Sequence, residues 1–266
     1  MKIHLASYQP DRLGGGWSFM RNFVKGFALY SYEEADIYFI PSASVVERAE
    51  VQQAKADGKK IVLRVDNAIR NSRNRNTGMS RLYDFAQLAD LVIYQSNWAR
   101  DFLYPFLQKD GVVILNGVDT EVFQPPSIQP EDDTYLYVRS SNDEGKQWIM
   151  AWYWFANNPG KLDIVGKFSK ENLEYNFDFF NNESYKFYGQ QPDMRPFYQR
   201  NKNFLYTYLN DACSNTLLEA LASGMNIIDI YGMLNTGGAP EIMACKDISL
   251  NRMYKEYEEV LNGLFL

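Results

Sequence analysis

Along most of the chain, short β-branched or apolar runs alternate with longer stretches in which apolar positions recur every three or four residues. IHLASY reads as a strand, followed by a glycine loop at Gly14–Gly16 and a helix over WSFMRNFVKGFALY. The strand ADIYFIPS, a helix near residues 45–56, and the strand KKIVLRVD come next. SRLYDFAQLA reads as a helix, ADLVIYQS as a strand, NWARDFLYPFLQ as a helix broken by Pro105, and VVILNGV as a strand. Alternation of this kind implies a parallel sheet covered by helices on both faces.

The pattern stops at QPPSIQPEDD, residues 124–133, where three prolines and three acids suit neither a helix nor a strand. It then restarts with the strand TYLYVR, the helix KQWIMAWYWFANN, and the strands KLDIVG and YKFYG. The helix PDMRPFYQRN, the strand NFLYTYL, the helix NTLLEALASG, the strand NIIDIY and the closing helix LNRMYKEYEEVLNG complete the chain. Two Rossmann-like, doubly wound α/β domains are therefore expected, over residues 1–126 and 127–266. Ligands of such sheets sit at the carboxyl ends of the strands, so a cleft between the domains is the expected site. The helical spacing of WIMAWYWF is explained by core packing.

With 46% hydrophobic and 23% charged residues, the 266-residue chain has the composition of a soluble globular protein. Residues 1–126 carry 15 Lys and Arg against 14 Asp and Glu, and the rest carries 12 against 19. That balance argues against a nucleic-acid binder, which would present a basic face. No apolar run is long enough to span a bilayer. MKIHLASYQP lacks the pattern of a secretory leader, and Cys213 and Cys245 give no disulfide framework, so a cytoplasmic location is expected.

The segment NDACSNTLLEALASG, residues 210–224, is where chemistry is most legible. Ser214 or Asn215 is a good N-cap; Leu217, Leu218, Leu221 and Ala222 form one helix face; Gly224 ends the helix. First-turn amides have no intrahelical acceptor and suit an anion such as a diphosphate. Glu219 lies about one turn further in, where a carboxylate accepts hydrogen bonds from the two hydroxyls of a ribose. Asp211, in the preceding loop, is placed to do the same for a sugar. A capped surface helix with two solvated acids is the plainer alternative.

Three further segments accompany it: NGVDTEVFQP at residues 116–125, ADLVIYQSNWARDFL with its strand–Ser–aromatic–helix pattern, and the glycine-rich turn TGGAPEIM at residues 236–243. In this order they resemble the retaining glycosyltransferases of the GT-B fold, specifically glycosyltransferase family 4. The resemblance covers essentially the whole chain, with a first domain shorter than usual. It implies that the backbone of Gly14, Gly15 and Gly16 approaches the donor diphosphate and the acceptor. It also implies that Arg139 and Lys146 neutralise the diphosphate and that Glu219 binds the ribose. Asp211 would contact the transferred sugar, with Ser214, Asn215, Thr216 and the backbone of Leu217 and Leu218 near the phosphates.

The sequence departs from the family pattern in three ways. Asp211 replaces a glutamate, shortening the side chain by one methylene. The lysine follows a glycine, as Gly145–Lys146, rather than preceding it. The histidine that many members place after a first-domain strand is absent; here the stretch reads LRVDNA, with Arg64 and Asp66 in its place. Asp66 either contacts the donor sugar or the acceptor hydroxyl, with Arg64 holding it, or forms a simple strand-end pair with Arg64. His4, the single histidine, is expected to be structural.

The implied activity is transfer of a hexose from a UDP- or GDP-sugar to an acceptor hydroxyl of a glycan, glycolipid or glycoconjugate, with retention. Asp66, Arg139, Lys146 and Asp211 are the expected catalytic residues. No metal or other cofactor is expected, because the two cations would do a metal's work. A catalytically degenerate nucleotide-sugar-binding protein is the alternative. The stretch AIRNSRNRNTGMSR places Arg70, Arg73, Arg75 and Arg81 with no nearby acid. It reads as a solvated loop, or as a patch for a lipid-linked or acidic acceptor or a peripheral membrane contact.

Overall fold

The computed structural model describes residues 1–12, 14–66, 78–138, 147–167 and 184–266. They fall into two compact units, one formed by Met1–Gly117 with Glu241–Leu266 and the other by Val118–Pro240. The sequence placed the division at 126/127 and assigned the closing helix to the second domain. The closing helix joins the first unit because its inward residues Leu250, Met253, Tyr257 and Leu261 lie in the core of the first sheet. The stretch from Val118 joins the second because Phe123 and Pro125 pack against Tyr198 and Gly224.

In the first unit, β1 (Ile3–Leu5), β2 (Ile37–Ile40), β3 (Lys60–Val65), β4 (Leu91–Tyr94) and β5 (Val112–Val113) form a parallel sheet in that order. The central strands β2 and β3 are buried on both faces, as a parallel sheet covered by helices requires, and the outer strand β5 is only half-buried. On the free side of β1, Ile3 makes a single parallel bridge to Leu29. The chain thus leaves β1 in one direction, through α1 (Gly15–Gly26) to Leu29, and returns to build β2–β5 in the other. Because parallel crossovers keep one hand, this reversal places helices on opposite faces. Phe19, Met20 and Phe23 of α1 share one core with the closing helix. The opposite core takes side chains from α2 (Arg48–Ala56), α3 (Gly78–Leu88) and α4 (Asn97–Leu107).

Two local expectations change. The glycine run is not wholly a loop: Gly14 caps α1, and Gly15 and Gly16 form its first turn. Nor does Pro105 break α4, which runs on to Leu107. Only the last residues follow the proline, so the helix loses little there. His4 lies among rings, stacked on Tyr38 and edge-on to Tyr32.

The second unit has β6 (Thr134–Val138), β7 (Lys161–Val165), β8 (Tyr185–Phe187), β9 (Asn203–Tyr206) and β10 (Asn226–Asp229). These strands are parallel in the order β10-β9-β6-β7-β8. The order reverses between β6 and β9, which makes their carboxyl ends the switch point of the sheet. Its helices include α5 (Trp148–Ala156), α6 (Arg195–Arg200) and α7 (Asn215–Ala222). The aromatic run in α5 packs as expected: Trp148, Ala151 and Phe155 are buried, and Trp148 lies against Tyr137 of β6. At the junction between the units is α8 (Ala239–Ala244), and α9 (Leu250–Asn262) is the closing helix of the first. Among the described residues, no helix is long and apolar enough to cross a membrane.

Candidate functional site

In the second unit the site is built where β9 ends. Ser214 is fully buried as the N-cap of α7, its hydroxyl accepting from the Leu217 amide at 3.3 Å and lying 3.1 Å from Thr216 Oγ1. Leu218 N donates to Ser214 O at 3.2 Å, the first intrahelical bond. The amides of Leu217 and Leu218 therefore already have acceptors within the helix start. Asn215 and Thr216 are the first-turn residues whose amides precede every intrahelical acceptor. Thr216 Oγ1 also reaches Tyr208 Oη at 3.5 Å, and that phenol donates to Val138 O at 2.6 Å. Tyr208 so ties the helix start to the end of β6, across the switch point. Arg139 and Lys146 follow β6 in sequence and lie outside the described residues, as do Arg70, Arg73 and Arg75.

Asp211 is half-buried in the loop before α7, and its backbone is held by the glycine-rich turn. Gly238 N donates to Asp211 O at 2.9 Å, and Thr236 Oγ1 donates to Tyr208 O at 3.2 Å. Gly237 sits at φ +61, and a Cβ there would lie 2.5 Å from Asp211 O. Only glycine fits this contact. Glu219 is also half-buried, and the fully buried phenol of Tyr198 on α6 donates to its Oε2 at 2.7 Å. Asp211, Ser214 and Glu219 are thus carried by one continuous loop and helix at the carboxyl end of the sheet.

In the first unit, Asp66 follows β3 directly, and its Oδ2 is 4.0 Å from where a Cβ of Gly16 would stand. The sheet therefore brings together Asp66 and the glycine-led start of α1. Gly14 has φ +129, a conformation that favours glycine, and its carbonyl accepts from Ser18 N at 2.8 Å. Arg64 does not make the strand-end pair with Asp66. It is 1% exposed, and its guanidinium donates to Pro41 O and to Asn116 Oδ1, each at 3.0 Å. The guanidinium carbon also lies 3.7 Å from the centroid of the Phe19 ring. Asn116 in turn donates to Gln95 Oε1 at 2.9 Å, and Gln95 donates to Val65 O at 3.1 Å. This buried chain joins the carboxyl ends of β2, β3, β4 and β5. Sequence reasoning singled out Arg64 and the segments that hold Gln95 and Asn116 but missed their connection, because the partners are far apart in the chain.

Arg81 is engaged too, contrary to the expectation that no acid is near. It donates to Val46 O at 3.3 Å and lies 3.5 Å from Glu47, both just before α2. Tyr198 and Tyr208 were also missed, the first reading only as part of a helix and the second as part of a strand.

No family model matches the sequence, and no curated protein is significantly similar to it. Among solved structures, Alr3699/HepE of Anabaena in complex with UDP aligns with 99% of this chain and 100% of its own. The TM-score is 0.73 at 13% identity. The fold is GT-B. The same Anabaena protein in complex with UDP-glucose gives a TM-score of 0.72 at 14% identity, with the same coverage. The sucrose-phosphate synthase of Thermosynechococcus elongatus aligns over 87% of this chain and 74% of its own, with a TM-score of 0.65 at 14% identity. The GT-B assignment agrees with two parallel five-stranded sheets, each with its chain reversal at one strand.

Proposed function

We propose that this chain is a glycosyltransferase that moves a hexose from a UDP- or GDP-sugar to an acceptor hydroxyl, with retention and without a metal. The observation that carries the proposal is the start of α7 at the switch point of the second sheet. A Ser214-capped helix start, with Asp211 before it and Glu219 one turn in, offers adjoining places for sugar, diphosphate and ribose. That the similar Anabaena protein was solved with UDP and with UDP-glucose supports a nucleotide-sugar donor.

In this reading Glu219 accepts from the ribose hydroxyls, and the first turn of α7, with Asn215 and Thr216 leading it, faces the diphosphate. Asp211 accepts from a hydroxyl of the transferred sugar. The bond between the anomeric carbon and the diphosphate oxygen breaks as the acceptor oxygen bonds to the same face of that carbon. The acceptor's proton passes to the departing phosphate oxygen, whose charge Arg139 and Lys146 stabilise. Asp66 and the glycine-led start of α1 serve the acceptor and donor side of the first unit. The acceptor is a glycan, glycolipid or glycoconjugate, and Arg70, Arg73 and Arg75 favour an acidic or lipid-linked one.

The test is a panel of UDP-, GDP-, ADP- and dTDP-sugars, scored for nucleotide release by the wild type and by Glu219→Ala. Release from one donor, lost in the variant, is the expected result. Absence of both turnover and binding across the panel would overturn the proposal. Binding without turnover, even when candidate acceptors are supplied, would favour a non-catalytic nucleotide-sugar-binding protein.

A further inference from the structure

We infer that Tyr198 and Phe123 are positioning residues that orient the Glu219 carboxylate for a ribose diol, and that the segment Asp119–Pro125 exists in part to hold them. The inference rests on the reading of Glu219 as the ribose-binding acid and extends it to the residues that give that acid its geometry.

The segment begins with a tight turn. Asp119 Oδ1 accepts from the amides of Glu121 and Val122, each at 3.2 Å, and Asp119 O accepts from Phe123 N at 2.9 Å. This turn delivers Phe123 edge-on to the Tyr198 ring, with centroids 5.6 Å apart and planes at 82°. On β9, Phe204 lies against the same ring at 6.3 Å. Tyr198 is fully buried, so its hydroxyl must find a partner inside the protein. It donates to Glu219 Oε2 at 2.7 Å, a charge-assisted bond between a phenol and a carboxylate.

Two residues beyond Phe123, the same segment reaches the other end of α7. Gly224 has φ +71, and a Cβ there would lie 3.2 Å from both Cβ and Cγ of Pro125. Pro125 therefore packs where α7 ends, while Phe123 backs the phenol that holds Glu219 near its middle. One short segment supports the helix end directly and the acid through Tyr198.

A glutamate has three side-chain torsions, and a half-buried one samples several rotamers unless something holds it. Tyr198 fixes the position of one carboxylate oxygen, and with it the plane in which the group accepts hydrogen bonds. A vicinal diol presents two donors about as far apart as the lone pairs of a fixed carboxylate. Setting that plane before the ligand arrives lowers the ordering cost of binding. The effect falls on the ribose hydroxyls and not on the diphosphate, so it appears as discrimination between ribose and deoxyribose.

Calorimetry on the full chain with UDP and 2′-deoxy-UDP, with GDP and 2′-deoxy-GDP alongside, tests this. The readout is the ratio of the two dissociation constants, with inorganic pyrophosphate as a control for the diphosphate part. The wild type is expected to favour the ribose form, and Glu219→Ala to bring the ratio close to one. Tyr198→Phe is expected to lower the ratio about three- to tenfold, the size of an ordinary net hydrogen-bond contribution, and to leave pyrophosphate binding unchanged. Phe123→Leu, which keeps the phenol but loosens its backing, is expected to lower it less. If Tyr198→Phe fails to fold, the Phe123→Leu ratio decides. A wild-type ratio in these variants, with the ratio lost in Glu219→Ala, would overturn the inference and leave the ribose reading of Glu219 standing. A wild-type ratio in Glu219→Ala as well, or no ribose preference in the wild type, would overturn both.

Discussion

Glu241 caps a helix 144 residues earlier in the chain: its carboxylate accepts from Asn97 N and Asn97 Nδ2, each at 2.8 Å, and from Trp98 N at 2.9 Å. Two segments that stood out separately in the sequence, QSNWARDFL and TGGAPEIM, are thus joined by one acid. Ser96 caps the same helix from within, accepting from Ala99 N at 3.1 Å. The helix start carries partial positive charge, so a carboxylate there gains from both the hydrogen bonds and the dipole. Glu241→Ala is expected to cost about 1–2 kcal/mol, and Glu241→Gln roughly half as much. Urea unfolding of the two variants measures both.

The buried Arg64 leads to a second expectation. Arg64→Met keeps the bulk against Phe19 but leaves Pro41 O and Asn116 Oδ1 without their donor, at a cost of about 1–3 kcal/mol. Arg64→Lys is expected to recover little, because a single ammonium does not reproduce the guanidinium fork that reaches both acceptors. Equal stability of Arg64→Lys and wild type in denaturant would contradict this account.

A third prediction concerns the turn under Asp211. Alanine at Gly237 would need φ +61 and would place its Cβ 2.5 Å from Asp211 O. The loop must move, so Gly237→Ala is expected to lose about 1–3 kcal/mol of stability. Nucleotide release from the preferred donor is expected to fall about tenfold or more through misplacement of Asp211. Gly58→Ala is the control, since a Cβ there meets nothing although its φ is also positive. It should lose some stability and keep the donor rate.

Asp90 supplies a pH dependence. Partial burial works against its charge, but the hydrogen bonds from Lys55, at 2.8 and 2.9 Å, and from Ile61 N, at 2.8 Å, hold its carboxyl below the ordinary carboxylate range. The folded chain thus binds this proton less readily than the unfolded chain. Its contribution is complete above the unfolded value and is lost as pH falls through the lowered folded one. Asp90→Asn is expected to cost about 1 kcal/mol at neutral pH, discounted for the partly exposed lysine, and progressively less as the solution is acidified. Unfolding curves for both proteins across that range would show whether the gap closes.

The alternation of strand and helix was legible because each element carries its own period, and the capping serine and terminal glycine of α7 are local signals. What lay outside the sequence was partnership. The apolar stripe of α9 shows that it covers a sheet but not which sheet, since leucine, methionine and tyrosine suit either. Asn116 reads as part of a recognisable box, yet its role beside Arg64 depends on a contact 52 residues away. Tyr198 looks like any aromatic on a short helix until Glu219 is brought to it. The acids of the candidate site could be nominated from the helix-start pattern and the family resemblance, whereas the residues that hold them could not.

The placement of α9 has a consequence for biosynthesis. The first unit lacks Leu250, Met253, Tyr257 and Leu261 until the closing helix has been translated, although its sheet emerges first. Val118–Pro240, by contrast, is contiguous and has all its strands as soon as it leaves the ribosome. At about 5–20 residues per second, the exposed face of the earlier sheet waits on the order of 10 s for its cover. The half of the protein made second is therefore the half equipped to finish folding first, while Phe19, Phe23 and Phe39 wait for the side chains of α9 that complete their core.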